Sequence, residues 1–181
     1  LIEQIEHLSK IASEFSQFAN IGNARLEDFD LHELIHSLVS LHSMQEHGEV
    51  HWAPLDQRLM VRADKTQINR LFTNLLQNAY EAVPEGKDKV IRVREKLLGD
   101  HVVIMVQDNG TGIPADTQPK IFIPNFTTKT SGTGLGLAMS KGIVEQARGE
   151  IWFETSEDHG TTFFVSLPLL PVGGSSLAVR S

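Results

Sequence analysis

Apolar side chains open the chain at Leu1, Ile5, Leu8, Ala12, Phe15 and Ala19, alternately four and three apart. That spacing is a heptad seam and predicts one helix. Ile11 and Phe18 widen the stripe, which suits a helical bundle better than a narrow two-stranded coil. The seam alone also fits a helix packed on its own domain. Gly22 and Asn23 are expected to end it. A second helix is expected after Asp30, because Asp30 and Glu33 have the spacing of a capping box and Leu31, Leu34, Ile35, Leu38 and Leu41 share one face. From Glu49 to Arg62 the alternation is loose and Pro54 interrupts it, so the stretch reads as strand and turn.

A third helix is predicted from Lys65 to Val83, with Asp64 as its cap. Ile68, Leu71, Phe72, Leu75, Leu76, Ala79 and Val83 form its stripe, and Pro84-Glu85-Gly86 stops it. Strands follow at Val90–Lys96 and Val102–Gln107, with a turn at Gly99-Asp100. Residues 108–136 are rich in Gly, Pro and Thr and read as a long functional loop. A fourth helix runs from Leu137 to Gln146 and ends at Arg148-Gly149. Strands at Glu150–Thr155 and Thr161–Leu167 are joined by a turn at Asp158-His159-Gly160. Helices mixed with hairpin-like strand pairs predict an α/β fold, a two-layer sandwich with helices on one face of the sheet.

Composition narrows the chemistry. The 181 residues suffice to bury a core, and the absence of cysteine excludes disulfides, iron–sulfur clusters and thiolate zinc sites. A net charge of −7 argues against a nucleic-acid binder, which needs an electropositive face. No apolar run is long enough to span a membrane, so no membrane insertion is expected. Nor is there a basic region leading into an apolar stretch, as in a signal peptide. Leucine rather than methionine at position 1 leads us to expect an excised fragment.

Three features carry chemistry. Asn74 and Asn78 share the polar face of the third helix, where a neutral carboxamide oxygen can complete a magnesium shell beside phosphates. Taken alone, the pair reads better as two solvent-facing amides. Asp108-Asn109-Gly110-Thr111-Gly112-Ile113 follows an apolar strand, so the aspartate can accept a hydrogen bond from a ligand while the glycines let the backbone pass close to a planar group. Read alone, it is also a common Asn-Gly turn. Gly132-Thr133-Gly134-Leu135-Gly136-Leu137 leads into a helix, where amides and the helix dipole suit a phosphate. It is neither a dinucleotide fingerprint nor a P-loop, since no strand precedes it and no Gly-Lys-Ser/Thr ends it.

In this order the motifs resemble those of the sensor histidine kinases. Asn74 to Ala79 resembles their asparagine box, and Asp108 to Ile113 their first glycine box. Ile121 to Lys129 resembles their phenylalanine box and lid, and Gly132 to Leu137 their second glycine box. Gly160-Thr161-Thr162-Phe163 with Leu167-Pro168 resembles their last strand. Glu14 to Ala19 is similar to the second helix of the dimerisation and phosphoacceptor hairpin in the nitrogen-regulation branch. The resemblance implies the Bergerat ATP-binding fold, shared with gyrase, Hsp90 and MutL, with a mixed, mostly antiparallel sheet. It divides the chain into a partial hairpin (1–22), a catalytic ATP-binding domain (23–171) and a flexible tail (172–181).

The same resemblance implies ATP and Mg²⁺ as cofactors. Asp108 would take the adenine amino group beside Gly110, Gly112 and Ile113, with Thr162 nearby through water. Asn78 would ligate Mg²⁺, and Asn74 would sit by the phosphates. Lys129 and the amides of Gly132, Thr133, Gly134, Leu135, Gly136 and Leu137 would hold the phosphate tail, and Phe122 and Phe126 would anchor a lid over residues 114–131. Many family members carry a lysine where this chain has Glu81, so Glu81 receives no role. The implied partners are a response regulator receiver domain and a second copy of the chain, and the implied location is cytoplasmic.

Hydrolytic relatives place a glutamate where this chain has Asn74, and a carboxamide cannot activate water. Phosphoryl transfer to a protein with very slow hydrolysis is therefore expected. The alternatives are an anti-sigma-type serine kinase of the same fold and a non-transferring nucleotide-binding or scaffold module. His32-Glu33-Leu34-Ile35-His36 matches a zinc-protease pattern, but Glu33 is better explained by the cap and no third ligand is placed by spacing. None of the eight histidines has the family acceptor's flanks, so the acceptor is expected on a helix outside this chain.

Overall fold

The computed structural model describes residues 1–45, 48–127 and 134–171, with only the backbone at Gln45. Four helices lie at Ile2–Ala19 (α1), Leu31–Gln45 (α2), Lys65–Ala82 (α3) and Gly136–Gln146 (α4). The strands are Glu27–Asp30 (β1), Glu49–Ala53 (β2), Met60–Ala63 (β3), Val90–Leu98 (β4), His101–Gln107 (β5), Glu150–Ser156 (β6) and Gly160–Pro168 (β7).

The main sheet has the order β2-β4-β5-β7-β6. Only β2–β4 is parallel; the other pairs are antiparallel, giving the mixed, mostly antiparallel sheet expected. Strand alternation sends one row, Trp52–Val93–Val106–Phe163–Phe153, toward the helices. The opposite face of β4 carries exposed Arg92, Arg94 and Lys96. Burial of the inner rows against α2 and α3 makes one core.

β1 and β3 form a separate antiparallel ribbon that the hydrophobic pattern did not reveal. Each strand has four residues, and in β1 only Phe29 is buried, too little for alternation to register. A bidentate Arg62–Asp28 pair, at 2.6 and 3.0 Å, fastens the exposed side of the ribbon.

Asp64 caps α3 as expected, its Oδ1 accepting from the Gln67 N–H at 3.1 Å. At α2 the expectation needs correction. Asp30 Oδ1 does accept from the His32 N–H, at 3.0 Å, but it also accepts from the Leu59 N–H, at 3.0 Å. No reciprocal Glu33 bond forms among the described residues, so Asp30 ties the helix start to β3 rather than closing a box.

α1 separates its two apolar faces. Leu1, Ile5, Leu8 and Phe15, the heptad seam, are more than half exposed. The half-buried positions are His7, Ile11, Glu14, Gln17 and Phe18, with Ile21 beyond, and this face rests on the body of the domain. The joint is fixed just after α1. The Ile21 side chain lies over Gly142 of α4, its carbonyl accepts from Gln67 Nε2 at 3.3 Å, and the Arg25 N–H donates to Asp64 Oδ2 at 2.9 Å.

Candidate nucleotide-binding site

The polar face of α3 and the loops after β5 and before α4 enclose a cavity of about 540 Å³, within the range of small-molecule sites. Asn74, Gln77, Asn78 and Glu81, one helical face at i, i+3, i+4 and i+7, form one wall. The apolar stripe of α3 faces the core and turns this face outward, which explains why two asparagines survive in a helix with strong packing.

Asp108 ends β5 and is 4% exposed. Its Oδ1 accepts from the Gly110 N–H at 2.8 Å and the Thr161 N–H at 3.2 Å. Both bonds use Oδ1, so Oδ2 is the oxygen left to a ligand in the cavity that Asp108 lines. Burial pushes the carboxyl above its ordinary value, and the two N–H donors and the Lys87 charge offset only part of that.

The glycine loop is clamped to the β6–β7 hairpin. The Ile113 N–H donates to Thr155 Oγ1 at 2.9 Å, and the Asp158 N–H donates to the Thr111 carbonyl at 2.9 Å. Gly112 has φ +80°, and a Cβ there would run into the Ser156 carbonyl. Only glycine keeps the loop this close and leaves a flat slot beside Asp108.

At the opposite end, Asn74 Nδ2 donates to Ser140 Oγ at 3.0 Å, and that hydroxyl donates to the Gly136 carbonyl at 2.8 Å. A Cβ on Gly136 would sit 2.5 Å from Asn74 Oδ1. Asn74 thus lines the cavity and also braces the first turn of α4, whose Gly136 and Leu137 line the same space.

Three expected residues stand off the wall. Thr162 lies on the opposite side of β7; Thr161 lines the cavity instead, with its hydroxyl 2.9 Å from that of Thr155. The motif Gly-Thr-Thr offers two identical side chains, and only strand phase selects between them. Gly110 packs behind the site against the Ala82 carbonyl. The Leu135 side chain is buried, 1% exposed. Asp108, Gly112, Ile113, Asn74, Asn78, Gly134, Gly136 and Leu137 do line the cavity. Lys129, Gly132 and Thr133, like the tail 172–181, lie outside the described residues. Phe126 lines the cavity, while Phe122 packs on Phe153 and Phe163 at ring distances of 6.1 and 6.5 Å.

Nothing in the hydrophobic pattern indicates that α1 reaches this cavity, yet Lys10 and Glu14 line it. The histidine-rich pattern serves elsewhere. His32 Nδ1 meets the buried carboxylate of Glu95 at 3.0 and 3.1 Å, and His36 stacks on His32. Among the described residues no three His, Asp or Glu side chains converge as metal ligands, and no helix is long and apolar enough to cross a membrane.

Residues 63–171 match the family described as histidine kinase-, DNA gyrase B- and HSP90-like ATPase. The chain belongs to this family. Within it the chain carries the ATP-binding domain of the sensor histidine kinase type. It is 36% identical over 172 residues to the sensor histidine kinase ZraS of Escherichia coli, a match covering 93% of this chain and 37% of that protein. The chain therefore spans little more than a third of that curated relative. Among solved structures, the catalytic domain of the histidine kinase ThkA superposes with a TM-score of 0.71 at 34% identity, covering 80% of this chain and 96% of that one. ThkA in complex with the response regulator protein TrrA superposes with a TM-score of 0.75 at 27% identity, covering 93% of this chain and 49% of that one.

Proposed function

We propose that this chain binds Mg-ATP and passes its γ-phosphoryl group to a histidine on a dimerisation helix outside the chain, for relay to a response regulator receiver domain. The observation that carries the reading is Asp108: a buried carboxylate with one oxygen held by two backbone amides and the other presented beside the Gly112 slot. An exocyclic amino group is the complementary donor. Asn78 would hold Mg²⁺ through a hard, neutral oxygen, beside the phosphates of the nucleotide. The amides at the start of α4 take phosphate oxygens, and Asn74 holds that turn in place. Bound Mg²⁺ would neutralise developing charge; the residues of this chain bind and orient the nucleotide.

The exposed seam of α1 supports pairing with a second copy through the helical hairpin, and a cytoplasmic location fits a substrate such as ATP. None of the histidines in this chain is proposed as acceptor; His32 is engaged by Glu95, and His42 by the Leu38 carbonyl at 3.0 Å.

The test mixes the chain with γ-labelled Mg-ATP and a histidine-bearing hairpin domain from a related kinase. Acid-labile label on the hairpin, chased onto a receiver domain, is expected. Nucleotide binding without transfer would instead mark a binding module, and acid-stable label a serine kinase. Brisk hydrolysis abolished by Asn74→Ala would overturn the transfer reading.

A further inference from the structure

We propose that Lys10 of α1 contacts the phosphate end of the bound nucleotide, so that α1 reads the occupancy of the catalytic domain. The inference rests on the ATP-binding reading above and adds a contact from outside the 63–171 family region.

Three observations carry it. First, α1 is anchored to the domain at the Ile21–Gly142 and Arg25–Asp64 joints, with α1 itself resting against α4. The start of α4 is the phosphate end of the cavity, whereas Asp108 and Gly112 mark the base end. Second, Lys10 and Glu14 lie one turn apart and both line the cavity, although the apolar seam beside them points to solvent. Third, the described lining residues carry three carboxylates, Glu14, Glu81 and Asp108, while Lys10 is the one cation among them. A polyphosphate entering this cavity needs cationic partners, and Lys10 is placed to supply one alongside Mg²⁺. The long, exposed lysine stem reaches such a target without moving the helix. By linkage, a contact that strengthens nucleotide binding also strengthens docking of α1 by the same factor.

The experiment titrates the whole chain calorimetrically with the Mg²⁺ complex of a non-hydrolysable ATP analogue and, separately, with adenosine. Lys10→Ala is expected to weaken the analogue on the order of tenfold, the range for a hydrogen bond to a charged group, and to leave adenosine unchanged. Lys10→Arg restores most of the loss. Hydrogen exchange supplies a second readout: the analogue slows exchange of α1 amides in the wild type and fails to do so in Lys10→Ala. Analogue affinity within twofold of wild type in Lys10→Ala, with α1 still protected, would refute the contact. Failure of the wild type to bind either ligand would instead sink the ATP reading itself, and the contact with it.

Discussion

Replacing Asp108 by asparagine separates ligand recognition from folding. The variant keeps the shape of the side chain, and its oxygen can still accept from the Gly110 and Thr161 N–H groups, now 2.8 and 3.2 Å away. The amide NH₂ then takes the place of Oδ2 and presents a donor to the donor on adenine. The lost bond is charge-assisted and worth about 1.5–3 kcal/mol, a factor of roughly 10 to 150 in affinity. Stability moves the other way. Burial raises the Asp108 carboxyl above its unfolded value, so at neutral pH the native state carries an ion it holds less readily than the unfolded chain does. Asparagine removes that penalty, and Asp108→Asn should melt at or above wild type at pH 7. The advantage should shrink as the pH falls through the raised Asp108 value, because wild type then becomes neutral there too. Calorimetric titration with an ATP analogue and with adenosine, paired with melting curves from pH 4 to 8, checks both halves. A variant that binds adenosine like wild type, or loses affinity only because it has unfolded, would refute the assignment.

Gly136→Ala places a Cβ 2.5 Å from Asn74 Oδ1 and should dislodge the Asn74–Ser140 bond. A loss of about 1–3 kcal/mol is expected in denaturant melts, with a larger affinity loss for ATP than for adenosine. Asp64→Ala removes the α3 cap and the Arg25 anchor together, and urea titration should show a loss of about 1–2 kcal/mol. At the His32–Glu95 pair, burial works against the imidazolium, yet the Glu95 hydrogen bond and charge, helped by Asp30 and Glu33, hold His32 above its ordinary 6.5. The stabilisation is complete below 6.5 and fades as the pH climbs through the raised value. At pH 6, His32→Ala, which leaves the buried Glu95 carboxylate with the Leu55 N–H but without its charged partner, should lose on the order of 3 kcal/mol. The gap between the two stability curves should narrow from pH 5 to pH 9, as the charge is lost and the neutral Nδ1–H bond remains; parallel curves would exclude the charge of the pair as the cause.

Local physics wrote much of this protein into its sequence. The α3 stripe, the Asp64 cap, the stop at Pro84 and the turns at Gly99 and Gly160 are decided by neighbours within a few residues, and each appears where the pattern put it. The wall Asn74–Asn78 and the Asp108 position follow from helix and strand phase, which one segment sets by itself. Tertiary structure decided the rest. Thr161 rather than Thr162 faces the cavity because β7 is registered against β5 and β6. Glu95 can be buried because α2 brings His32 over β4 and the Leu55 N–H reaches the same carboxylate. The ribbon of β1 and β3 pairs residues thirty or more apart through two four-residue strands, too short to leave a periodic trace. For α1 the sequence shows one widened apolar stripe and does not say which part of it meets the domain. Packing against the domain half-buries Ile11 and Phe18, leaves the heptad seam in water and brings Lys10 to the cavity, because a helix face acquires its meaning only from what it is packed against.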